Sequence, residues 1–185
     1  MRWDELFRDL EAQLRAAQAS ELAGEVADRT RREVAALSLV DRARGAVGHP
    51  VRVQLLGVGS LAGMLLEVGA EWLLLRDAAD RDVLVAWRAI VAVTGLGVSS
   101  GAPGEGGEVF SRLGLGSALR GVSRDRAQVA LGLVDGSTVP GTLDRIGKDF
   151  VELSEHPAGE ARRPAQVSAV RTIAFTGIAT VTRVP

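Results

Sequence analysis

The sequence predicts an α+β protein: an N-terminal helical arm, then two small five-stranded β-barrels, each preceded by a helix. Three observations carry this. Apolar residues near the start fall four and three apart. From Val51 the apolar period changes to two. The period-two block then occurs a second time, with Val51 falling on Val129, a shift of 78. The expected organisation is an arm over residues 1–48, a first barrel over 49–98, a Gly-rich linker and helix over 99–127, and a second barrel over 128–185.

The arm is read as helix because Trp3, Phe7, Leu10, Leu14 and Ala17 share one face, with Asp4, Glu5, Arg8, Asp9 and Glu11 between them. Ser20 is a candidate N-cap for a second helix, so one long helix and an antiparallel pair both fit. Gly45 and Gly48 end the helical pattern, and His49-Pro50 starts an extended chain. Residues 51–55, 61–68, 72–76, 83–87 and 90–94 read as strands, separated by Gly-rich or polar turns. Five short strands at this spacing predict a small closed barrel. Gly95 to Gly107 reads as a linker, and Glu108 to Val122 as a helix.

The repeat is gapless from 51–76 onto 129–154. Val51, Leu55, Gly63, Leu65, Gly69 and Leu75 fall on Val129, Leu133, Gly141, Leu143, Gly147 and Leu153. Beyond the next loop the shift becomes 88, as in Val85/Ile173 and Val93/Val181, so the second copy carries ten extra residues after His156-Pro157. The copies differ on the face expected to point outward. Copy two has Thr142, Asp144 and Glu152 where copy one has Met64, Leu66 and Leu74. Soluble proteins seldom leave such an apolar patch wet. The expected cover is the arm (stripe Trp3, Phe7, Leu10, Leu14), the second barrel or another subunit.

A helix followed by five strands with Gly-x-Leu in the second resembles the Sm-like group of small SH3-like barrels (Sm, LSm and Hfq proteins), over about residues 37–94 and 113–183. Val129 to Leu143 is similar to the first Sm signature: an alternating strand, the Asp135-Gly136 turn, then Gly141-x-Leu143. The resemblance implies two barrels with sharp strand bends at Gly63 and Gly141; the exposed edge strands of small barrels could pair the two with each other or extend them into a ring or dimer. Arg88 falls where Hfq carries an RNA-contacting side chain. The nucleobase-contacting Asp and Asn of the Sm pattern are replaced by Gly69 and Leu73, and by Gly147 and Val151.

Composition limits the chemistry. The chain of 185 residues has 22 Lys+Arg, 23 Asp+Glu, no cysteine and two histidines. Cysteine nucleophiles, disulfides and thiolate metal sites are excluded, and neither metal nor cofactor is expected. No segment departs from charge neutrality by more than one, unlike a purely electrostatic nucleic-acid binder. With no signal-like start and no long apolar run, the expected compartment is the cytoplasm, with no membrane contact.

The Gly95–Gly107 run lacks the Lys of a phosphate loop and ends in acidic Glu105 and Glu108. His49 and His156 read as loop residues, Trp87 as core, and Asp144, Asp149 and Glu152 as a solvated face rather than a cation site. A helix-turn-helix reading of Leu22 to Val26 finds no clear turn. The best basic candidates are Arg112, Arg120, Arg124, Arg126, Arg162 and Arg163, with Arg88 a separate candidate for pairing with a base. No catalytic constellation emerges, so the expected function is a non-enzymatic adaptor acting through a protein partner or self-association. The alternative is an RNA- or DNA-binding regulator using Arg88, Arg120, Arg124, Arg126, Arg162 and Arg163.

Overall fold

A computed structural model describes residues 3–97, 113–157 and 168–184. Most of the expected linker, the ten-residue insertion, and with them Arg112, Arg162 and Arg163, lie outside the described residues. The chain divides into two units, Met1–Ser38 and Leu39–Pro185.

The first unit is one helix, α1 (Trp3–Ala36), of 34 residues, about 50 Å long. It runs unbroken through Ser20. Ion pairs one turn apart, Arg15 to Glu11 and Arg29 to Glu33 at 3.0 Å each, support it. Phe7, Leu10 and Leu14 are exposed, and the Trp3 side chain lies outside the described part. Among the described residues, no helix is long and apolar enough to cross a membrane.

The second unit holds α2 (Leu39–Arg44), β1 (Pro50–Leu55), β2 (Gly59–Val68), β3 (Trp72–Asp77), β4 (Asp82–Ala86) and β5 (Ile90–Thr94). After these come α3 (Leu115–Arg124), β6 (Gln128–Leu133), β7 (Thr138–Ile146), β8 (Phe150–Glu155), β9 (Ala169–Ala174) and β10 (Ile178–Arg183). A 3₁₀ turn precedes β5 (Trp87–Ala89) and another precedes β10 (Phe175–Gly177). The strands form one sheet in the order β5-β1-β2-β3-β4-β10-β6-β7-β8-β9.

This overturns the expected fold class. The described residues form no pair of separate closed Sm-like or SH3-like barrels; they form one open, ten-stranded antiparallel sheet. The strands lie on the expected segments, but their partners differ. β10 pairs with β6 on one side and with β4 on the other, Thr180 opposite Val85, Val181 opposite Leu84 and Thr182 opposite Val83. Alternation in a sequence marks strands and faces. It does not say whether a terminal strand stays within its own half or joins the next.

The shift of 78 is kept in the strand register. Val51 pairs with Gly63 and Val129 with Gly141; Leu65 pairs with Leu75 and Leu143 with Leu153. The same irregularity follows each, at Leu65/Glu67 and at Leu143/Arg145. Gly63 and Gly141 are places where two strands approach closely. A Cβ on Gly63 would stand 2.4 Å from the Arg76 carbonyl oxygen, and one on Gly141 2.3 Å from that of Ser154. The neighbouring strand lies too close for any side chain.

Two apolar cores share the central strands. Leu73, Leu75, Val83 and Val85 face the first core, with Val53, Leu55 and Leu65. Trp72, Leu84 and Ala86, from the same two strands, belong to the second core, with Leu115, Leu119, Val129 and Leu153. Leu74 packs against that second core. The β3 and β4 run is apolar on both faces because both faces are covered. Burying a side chain such as Leu84 stabilises the fold by roughly 1.5–3 kcal/mol. The other two members of the expected patch differ: Leu66 is half-buried and Met64 is exposed.

Gly141→Ala is expected to destabilise the protein by about 1–3 kcal/mol, read as a lower urea midpoint. Gly121→Ala, in α3 with nothing within 4 Å of a new Cβ, should instead be neutral or stabilising by up to about 1 kcal/mol.

Candidate functional site

Three surfaces of the second unit are candidates. The first is the pair of sheet edges. No described strand pairs with the outer side of β5 or of β9. By the shift of 88, β5 is the counterpart of β10 and β9 the counterpart of β4, and β10 and β4 pair with each other inside the chain. Each free edge carries an exposed valine, Val91 and Val170. The repeat exposes these edges to the reader of the sequence; the internal junction that they mirror needs the structure.

The second is the outer face of β1 to β3. In the second half this face is filled from within. Buried Thr142 meets buried His156 at 2.9 Å between Oγ1 and Nε2, and Gln128 donates to the Pro157 carbonyl at 2.7 Å. Buried Ser154 donates its hydroxyl to Asp144. His156 is therefore a structural residue, not a free loop base. The counterparts in the first half are Pro50, Met64, Arg76 and Ala78, which line an open groove of about 710 Å³. Asp77 also lines that groove. Its carboxylate accepts Arg81 Nη2 at 2.7 Å and Nε at 2.9 Å, the Ala79 N–H at 2.8 Å and the Arg81 N–H at 3.0 Å. The Arg81 guanidinium, then these N–H groups, hold the Asp77 carboxyl below the usual range.

The third is a groove of about 570 Å³ beside α3. It exists because the first half holds the start of this helix. Glu71 Oε2 accepts the Leu115 N–H at 2.8 Å, and Trp72 Nε1 donates to the Leu113 carbonyl at 3.0 Å. A Cβ on Gly114 would stand 2.7 Å from the same Glu71 oxygen. A carboxylate suits the N–H groups of a helix start.

The sequence-predicted arginines separate on this frame. Arg88 stands 3.7 Å from Glu71 Oε1, so it holds the capping carboxylate. Arg120 and Arg124 line the α3 groove, and Arg183 joins them because β10 crosses to β4. No sequence signal marked Arg183. Arg126 sits just past α3 with φ +47 and does not line the groove. Trp87 donates to the Gly69 carbonyl at 3.2 Å and packs on the first core. Of the expected acidic face, Glu152 pairs with Arg145 at 3.7 Å. Among the described residues, no group of three or more His, Asp or Glu side chains is placed to hold a metal ion. No family model matches the chain, and no curated protein matches it.

Asp77→Asn is expected to lower the melting temperature at pH 7. A depressed carboxyl stabilises the fold above its unfolded pKa, near 3.9, and that contribution is lost as pH falls through the folded value. The gap between wild type and variant should close below about pH 4, as read by thermal unfolding across pH.

Proposed function

We propose that this chain is a non-enzymatic cytoplasmic adaptor that works by self-association, joining copies head to tail through β5 of one and β9 of the next. The observation that carries this is the internal β4–β10 junction. It is an interface between the counterparts of the two free edges, already made once within the chain. Transferring its register by the shift of 88 sets Ala92 opposite the next copy's Ile173, Val93 opposite Thr172, and Thr94 opposite Arg171. Unpaired edges are templates for another strand, and none of these side chains introduces a like-charge clash. A head-to-tail contact of this kind closes into a ring or continues as a filament. A partner protein offering an edge strand would dock by the same backbone hydrogen bonds.

The test is mass in solution by sedimentation, as a function of concentration. Wild type should exceed the monomer mass. Val91→Lys and Val170→Lys should each be monomeric, since one spoiled edge is enough. Mixed in equal amounts they should form a single dimer, from the intact β9 of one and the intact β5 of the other. A wild type monomeric at every concentration, or a mixture that stays monomeric, would overturn the reading.

A further inference from the structure

The groove beside α3 is separate from both sheet edges and has the chemistry of a small-ligand site. Its volume of about 570 Å³ lies in the range of such sites, which are apolar with a few convergent polar groups. Its apolar wall is built by Trp72, Leu74 and Leu84 from the sheet and by Val122 from α3. Arg120, Arg124 and Arg183 reach it, as does Glu67.

These groups are not equally committed. Arg183 is bound to Asp125 at 2.5 Å. Arg120 donates to the Gly147 carbonyl at 3.3 Å. Arg124, in the last turn of α3, has no partner among the described residues and is exposed. Three guanidinium groups set against Glu67 and Asp125 leave a single positive charge. That balance suits one negative charge and disfavours a phosphate dianion. An apolar wall beside one uncommitted cation asks for a ligand with a tail and an anionic head.

We propose that this groove binds an amphipathic monoanion, a straight-chain carboxylate, with its chain against Trp72, Leu74 and Leu84 and its head on Arg124. The guanidinium fork matches a carboxylate in a bidentate way. The wall then makes tail length a determinant of affinity.

Titration calorimetry of the full chain with decanoate, kept below its micelle concentration, tests this. The expected result is saturable binding of one decanoate per chain, weaker for the shorter hexanoate and weaker for decyl phosphate. Arg124→Gln, a change at an exposed position, should weaken decanoate by at least about tenfold with an unchanged melting temperature. Ser117→Trp, which places an indole in the groove, should abolish binding. Unsaturable uptake, equal binding of decyltrimethylammonium, or undiminished binding by Arg124→Gln would overturn the proposal. So would an acidic amphipathic peptide that binds where decanoate does not. Each readout is independent of the mass of the protein in solution.

Discussion

The antiparallel contact between β4 and β10 is the constraint on which the rest of this structure depends. It makes ten strands one sheet. It also covers the second face of β3 and β4, so that Trp72, Leu84 and Ala86 enter a core otherwise built from the second half. With that face covered, α3 can lie across the boundary, its start held by Glu71 and its buried Leu115 and Leu119 facing the second core. The α3 groove and the arrival of Arg183 both follow from the same contact.

Much of the chain was legible. The change of period from about 3.6 to two marked where helix gives way to strand, and the repeat marked which residues are counterparts. Those features are local, set by side-chain alternation and by glycines at which a side chain has no room without a shift. Gly69 and Gly147 show the point: a Cβ on either would strike the ring of Trp72 or Phe150, three residues on in each half. What was not legible was closure. The Sm-like resemblance rested on strand patterns that an open sheet shares, since Gly63-x-Leu65 and Gly141-x-Leu143 need only a close neighbouring strand. A strand's two edges look alike in sequence, so nothing in Ile178 to Arg183 announced that it would bond to β4 as well as β6.

The candidate site was legible in part, for a related reason. Arg120 and Arg124 stood among six basic candidates, and these two line one groove. Arg88 stood out through a resemblance and acts in this structure as a support for Glu71. The apolar surplus at Leu74 packs in part against the second core. Met64, grouped with it by the repeat, remains exposed because the second half fills the equivalent seat with its own His156 and the first half does not.

The junction also sets the order of events in biogenesis. Val85 and Thr180 are partners far apart in the chain, and contacts of high sequence separation form slowly. On the ribosome the first half is made long before β10 emerges, and until then β4 has an unbonded rim with Leu84 beside it. A chain lacking β10 is therefore expected to expose the rim of β4 and the Leu84 side chain.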